Sequence, residues 1–450
     1  MRNFLAQSVK TTVFALSLGA ACLANAKSLT DHERLMQALH LGDAVKLQQA
    51  LDQGANPNQS LPDGSLPLAW AADSQSPELV IALLKAGAKP DAVTSIANFS
   101  PLVTACQRGE PRIVAALLDA GAEVNRATAT GITPLALCAG NSSPDMVKRM
   151  LELGAKADAV DETGQSPLMW AAAKGQVDNI KLLLEADAAG INRLTKKGFS
   201  PLMFALTSTN PQAPLTLINA GADTAYVAPD GTSMVQMAMY RKQYEIAALL
   251  IELAADLKST LNTYDRNGNL LLHAAVLAKQ PQLVSLLLEK GANPNGLTGT
   301  SKVVWRYEVN FTAAPYITYP KSPLLLAVEK GSPEIMKILV AAGADTQFRT
   351  EDGTNLVQAA VVTDPATLEQ AYRLAPDMNV TNKRGQTPLL SLMNGASYLP
   401  LTNAQLHELF KVLSKHGARI DIADAKGQTP ADLAKTEEFR AKTEFADAFL

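Results

Sequence analysis

The 450-residue chain is short of the residues that usually carry chemistry: three cysteines, five histidines and only 5% aromatic side chains. It has no surplus of either charge, since 40 Lys and Arg stand against 43 Asp and Glu. No net field therefore draws nucleic acid or an anionic membrane surface, and neither is expected as a partner. There is no Gly-rich phosphate loop, nucleophile elbow or Cys–His pairing. His32 and His40 are eight apart and His407 and His416 nine, and neither spacing stacks two rings as i, i+4 metal ligands. No catalytic residue, cofactor or metal site is expected. Nor does any apolar run reach the roughly 20 residues of a membrane-spanning helix.

The longest apolar run, Val13 to Leu23, follows the basic residues Arg2 and Lys10 and ends in the small residues Ala24-Asn25-Ala26. That order reads as a secretory leader over 1–26, with a periplasmic or secreted mature protein. Removing the leader takes the formal net charge from −3 to −5. Cys22 follows "LGAA", a poor lipidation match because Leu18 stands four residues before it. Cys106 and Cys138 remain, and their alanine-like positions read as buried small residues rather than a bridge.

What the chain does have is repetition. "LLKAGA", "LLDAGA", "MLELGA", "LINAGA", "LLEKGA" and "LVAAGA" place glycines at 87, 121, 154, 221, 291 and 343, and Gly54 and Gly417 extend the series. A second phrase keeps phase with it: "GSLPLAWAA", "GITPLALCA", "GQSPLMWAA", "GFSPLMFAL" and "GQTPLLSLM". In most of these units its glycine precedes the later one by 23 residues. Ser or Thr before Pro is an N-cap followed by proline at the first helical position, where a missing N–H costs nothing. A second helix follows, with apolar spacing such as Val80, Leu83 and Leu84, and the later glycine stops it. Each unit is helix, turn, helix, extended turn, and buries its apolar face only by stacking on its neighbours.

These two phrases resemble the ankyrin repeat over about residues 28–450. The resemblance implies an all-α solenoid of about eleven units, ending near Gly54, Gly87, Gly121, Gly154, Asp187, Gly221, Ala254, Gly291, Gly343, Ala375 and Gly417, with "GQTPADLA" (427–434) as a C-terminal cap. Stacked at about 8–10 Å, such units would form a curved rod of order 100 Å with a long concave face. Asp187, Ala254 and Ala375 replace the helix-ending glycine, and the Ser/Thr-Pro pair is lost at Ser233-Met234, Leu270-Leu271 and Asn355-Leu356, so these units should be the least regular. The family uses the histidine place held by His273 to bond the turn. Trp70 and Trp170 read as core, and Asp161 and Glu162 as solvated turn carboxylates.

One unit breaks phase. From Gly291 to Pro320, which holds the turn-glycine place, the count is 29 where 10 or 11 is usual. Units one to eight then occupy 28–296, and units nine to eleven with the cap 320–450. The segment 297–319 between them concentrates five aromatics: Trp305, Tyr307, Phe311, Tyr316 and Tyr319. Alternation in 304–311 predicts a strand, "TAAP" a turn and "YITY" a return strand, giving an inserted β-hairpin. Its ring face either packs on adjacent turns or is presented to a partner. A smaller lengthening, 394–405, separates the two helices of the eleventh unit.

The resemblance implies a non-catalytic protein-binding module, acting as a monomer. Its interface would combine the insertion with turn and first-helix edge positions: Glu162, Thr163, Gln165 and Lys174, and Arg266, Asn267 and Asn269. Scaffolding or inhibition of an envelope client, neutralisation of a toxin or enzyme, action as an exported effector, and an enzymatic or small-molecule function all stay open at this point.

Overall fold

The computed structural model describes residues 30–61, 64–93, 99–254, 257–301, 319–395 and 401–436. Among them are 24 α-helices, one 3-10 turn and no strand, the only β-type contact being an isolated bridge between Val227 and Ser233. The chain divides into two compact units after Ala155.

In the first unit α1 (Asp31–Leu41) is followed by α2 (Ala44–Asp52), α3 (Pro67–Asp73) by α4 (Pro77–Lys85), α5 (Pro101–Arg108) by α6 (Pro111–Asp119), and α7 (Pro134–Asn141) by α8 (Pro144–Glu152). Each pair is an antiparallel hairpin. First helices touch first helices (α1–α3–α5–α7) and second helices touch second helices (α2–α4–α6–α8). The second unit continues with α9 (Pro167–Lys174), α10 (Val177–Ala186), a 3-10 turn (Ala188–Asn192), α11 (Pro201–Ala205), α12 (Gln212–Asn219), α13 (Met234–Tyr240), α14 (Tyr244–Leu253), α15 (Leu257–Leu261), α16 (Leu271–Leu277) and α17 (Pro281–Glu289). After the insertion come α18 (Pro323–Glu329), α19 (Pro333–Ala341), α20 (Leu356–Ala360), α21 (Pro365–Leu374), α22 (Pro388–Gly395), α23 (Asn403–Lys415) and α24 (Pro430–Ala434).

The motif residues do what their chemistry predicts. The hydroxyls of Ser100, Thr133, Ser322 and Thr387 each accept the backbone N–H three residues on, at 3.2 Å. Second helices close through a glycine of positive φ, as at Gly87 (φ 87°), which lets Ala88 N–H bond back to the Leu83 carbonyl at 2.9 Å. The leucines of each pair, among them Leu68, Leu79, Leu83, Leu102 and Leu117, are fully buried. Each contributes roughly 1.5–3 kcal/mol relative to exposure. No helix among the described residues is long and apolar enough to cross a membrane.

Several expectations are corrected. Cys106 and Cys138 are joined in a disulfide between α5 and α7, with Cα atoms 4.5 Å apart. The one-residue offset between their positions does not keep them apart, because small residues at Ala105, Ala136 and Ala139 bring the two helices close. Asp187 and Ala375 are not left-handed: their φ values are −144° and −137°. The chain leaves those helices through a residue of negative φ, and at Asp187 a salt bridge to Arg193 (3.2 Å) holds the exit. After Ala254 the extra length forms α15. The units lacking Ser/Thr-Pro are not frayed at their starts. Ser233 with Gln236 and Asn355 with Gln358 form capping boxes, which satisfy the same orphan N–H groups.

Asn58, Asn125, Asn192, Asn295 and Asn379 form a device that the repeat phrases do not announce. Asn58 donates to the Gly87 carbonyl (3.0 Å) and accepts from Lys89 N–H (2.8 Å), so its amide ties one turn to the next. Asn295 does the same to Gly343 and Asp345 (3.0 and 2.7 Å), across the whole insertion. There α16 packs on α18 and α17 on α19. The base of the insertion is closed by Thr298 N–H on the Lys321 carbonyl (3.0 Å) and Lys321 N–H on Thr298 Oγ1 (2.9 Å). Residues 302–318, with Trp305, Tyr307, Phe311, Tyr316 and the expected hairpin, lie outside the described residues.

Candidate functional site

The extended turns are built around one side chain each. Asp161 is buried, and its Oδ1 accepts the N–H groups of Thr163 (2.8 Å) and Gln165 (2.9 Å) and the Thr163 hydroxyl (2.7 Å). It is therefore a turn-forming residue and not a solvated charge. Asp265 repeats the pattern with Asn267 and Asn269 N–H, both at 2.8 Å. Neighbouring turns are joined by backbone bonds: Lys196 N–H to the Thr163 carbonyl at 2.9 Å, and Lys383 N–H to the Asp352 carbonyl at 2.8 Å. The tips are thus held in a row while their outer side chains face water. Glu162, Thr163, Lys174, Arg266 and Asn267 are exposed, and Gln165 and Tyr319 are half-buried.

Asn269 departs from this set. It is 9% exposed, and its amide donates to the Tyr240 hydroxyl at 3.2 Å while Tyr240 donates to Asp265. Asn269 is a strut beneath the surface, and Tyr240 is the side chain presented there. Burial, followed by the neighbouring Asp265 carboxylate, raises the Tyr240 phenol well above its ordinary pKa, so it stays a neutral donor.

His273 is wholly buried in the third place of α16. Its Nδ1 accepts Leu270 N–H at 3.1 Å and its Nε2–H donates to the Gly296 carbonyl at 2.9 Å. Desolvation pushes its pKa down to about 4, which keeps the ring in the neutral form these two bonds require. The family role implied by its place is the role it plays.

The tryptophans are not core. Trp70 and Trp170 occupy the fourth place of α3 and α9, as Phe204 and Met237 do in α11 and α13, and all four are half-buried. The second, fifth and sixth residues of these helices point into the stack, leaving the fourth on the open edge. Trp70 is partly covered edge-on by His40, with ring centroids 5.4 Å apart. Trp170 keeps its indole N–H buried without an acceptor among the described residues. This edge was legible in the "PLxW" phrase, had the fourth place been read as a helix edge rather than as core.

Beside it lies a cavity of about 770 Å³ between the turn 207–211 and residues 240–246, lined in part by Tyr240, Arg241, Lys242, Gln243 and Tyr244. Gln243 crosses the junction, donating to the carbonyls of Leu206 and Ser208, both at 3.0 Å. No group of three or more His, Cys, Asp or Glu is placed to hold a metal ion among the described residues.

Comparison with known proteins agrees with this architecture. A family model for ankyrin repeats (three copies) matches residues 35–128, 102–194, 135–226 and 202–297, and the single-repeat model matches 321–351. Similar proteins include the mouse B-cell lymphoma 3 protein homolog, 29% identical over 192 residues, which are 42% of this chain and 39% of that protein. Another is the Arabidopsis thaliana E3 ubiquitin-protein ligase KEG, 25% identical over 278 residues, 55% of this chain and 16% of the ligase. The Legionella pneumophila phosphocholine transferase AnkX is 32% identical over 99 residues, 22% of this chain and 10% of the transferase. The chain therefore spans well under half the length of these relatives, and what aligns is repeat. With helix pairs, turn aspartates, His273 and the family matches all in one phase, the chain belongs to the ankyrin-repeat family.

Proposed function

We propose that this protein is a non-catalytic binding module of the cell envelope, exported by the 1–26 leader, which holds a client protein along the edge formed by its first helices and turn tips. One observation carries the reading: the turn tips stay open along the repeats, and in α3, α5, α9, α11, α13 and α22 the fourth residue of the first helix stays half-open beside them, while the leucines and alanines of each pair are spent on stacking. Such a row offers a long surface to another macromolecule and no enclosed reaction chamber. In this reading eleven units and a C-terminal cap form the array, which is monomeric and has a concave face. The 297–319 insertion adds an aromatic contact, for which Trp305, Tyr307, Phe311, Tyr316 and Tyr319 are the anchors. Envelope residence is supported by the buried Cys106–Cys138 disulfide, a bond favoured in oxidising compartments.

The test is affinity capture from an envelope fraction with the wild type, an insertion deletion, and Glu162→Ala/Lys174→Ala/Arg266→Ala. A defined client lost in one or both variants supports the reading. Equal capture by all three would refute it. If the client proves to be a toxin or enzyme whose activity the protein abolishes, the antagonist role follows; a host protein as client would indicate an exported effector. Turnover of a substrate by the purified protein would contradict the non-catalytic reading.

A further inference from the structure

We infer that the first-helix edge of α9, α11 and α13 is a docking site for an acidic segment of a protein partner that also carries large apolar side chains. This deepens the proposed function and rests on its reading of the edge. Trp170, Phe204 and Met237 hold the same helical place in three successive pairs, and each is half-buried, so together they form an apolar ladder. Trp170 Nε1–H and Gln243 Oε1, at this edge and beside the cavity, are buried without a partner among the described residues. Tyr240, 38% exposed and locked by Asn269 and Asp265, continues the ladder with a rigid aromatic ring. In α16 the fourth place passes to the buried Ala274, so the ladder has an end.

Charge selects the occupant. Four residues beyond Trp170 and Met237, on the same helix face, stand Lys174 and Arg241, and Lys242 follows. At the other ends of these first helices the turn tips carry Lys196 and Lys197, with Asp161, Glu162 and Asp230 in the neighbouring turns. All five cations are exposed, and none has an ion pair among the described residues. At the Lys174, Arg241 and Lys242 end the nearby acids are Glu245, in the cavity lining, and Asp178, which is already paired with Lys181 at 3.0 Å. An apolar stripe with an unneutralised basic end at Lys174, Arg241 and Lys242 matches a strand or helix with apolar residues on one side and Asp or Glu beside them at one end. A single-stranded nucleic acid also offers charge to the cations, but its evenly spaced phosphates would meet Glu162, Asp230 and Glu245 as well, whereas a protein segment can place apolar residues there and its carboxylates at the basic end alone.

The experiment selects peptides from an unbiased random library on the purified protein. The winners are then measured by fluorescence anisotropy against the wild type, Trp170→Ala/Phe204→Ala and Lys174→Glu/Arg241→Glu, with oligothymidine as competitor. The charge variant alters exposed side chains only, and circular dichroism confirms that both variants are folded. The expected winners are rich in Asp and Glu with at least one large apolar residue, weaken as salt rises, and lose about tenfold or more in affinity to each variant. Neutral or basic winners that still depend on Trp170 and Phe204 would overturn the acidic assignment while leaving the edge reading intact. Winners indifferent to both variants would overturn both, whereas no selection above background would overturn this inference alone. Competition by oligothymidine at comparable concentration would overturn it in favour of nucleic acid.

Discussion

Reducing the Cys106–Cys138 bond should weaken one part of the molecule by a calculable amount. The bridge closes a loop with a sequence separation of 32 residues, and both sulfurs are fully buried. In the chain-entropy account, a loop of that length removes about 12 cal/mol/K from the unfolded ensemble, or about 3.7 kcal/mol at 25 °C. Because both thiols are enclosed, reductant must be added to the unfolded protein and maintained through refolding. Denaturant unfolding followed by circular dichroism then compares oxidised wild type, reduced wild type and Cys106→Ala/Cys138→Ala. The first comparison isolates the cross-link; the alanine variant adds the loss of two packed sulfurs. Since each pair of helices contacts only its neighbours, hydrogen exchange should place the loss at α5 to α8 and leave α18 to α21 protected as before. Two reactive thiols in the denatured, unreduced protein would refute the reasoning. So would identical unfolding of oxidised and reduced forms, or a loss spread evenly along the chain.

His273→Gln should preserve the fold and remove a pH dependence, because Gln236 and Gln358 already occupy the same third-residue place with the same cap. With the folded pKa near 4 and an unfolded value near 6.5, the unfolded chain takes up its proton first. The wild type should therefore be fully stable above pH 6.5 and lose up to about 3 kcal/mol as pH falls towards 4, while the glutamine variant loses less; parallel curves would contradict this. Glu369 accepts from His416 Nε2 (2.8 Å) and Lys415 Nζ (3.2 Å), which depress its pKa to about 2. Its contribution should hold above pH 4.5 and fade as pH drops towards 2, so Glu369→Gln should flatten acid unfolding in that window; an unchanged slope counts against the pairing. Asn295→Ala removes two hydrogen bonds that clamp α17 to the pair beyond the insertion, and should cost about 1–2 kcal/mol by denaturant unfolding. An effect within error would show that the clamp contributes nothing.

The helix pairs and their order were legible because the two phrases encode caps and stops directly: Ser or Thr before Pro starts a first helix, and a glycine ends a second one. Irregular units were misjudged where a different side chain performs the same job, as Gln236 and Gln358 do for the lost Ser/Thr-Pro, or where a residue of negative φ replaces the left-handed one, as at Asp187. The disulfide was missed because alanine-like places suggest packing alone, whereas small neighbours are what let two backbones approach to bonding distance. Asp161 and Asn269 look like surface polars in sequence, but each is consumed by the turn it builds. Trp170 shows the opposite error: a large apolar ring in a repeat phrase reads as core, yet in α9, as in α3, α11 and α13, the fourth place lies on the half-open edge of the helix.

The most direct measurement of the account's central claim places a photo-reactive amino acid at Thr207, beside Phe204 on the first-helix edge, and separately at Gln282, on the exposed side of the second helix α17. Irradiation in cells followed by mass spectrometry of the adducts compares the two faces. The account predicts a discrete protein adduct from position 207 and none from 282. Adducts from 282 alone, or equally from both, would contradict it.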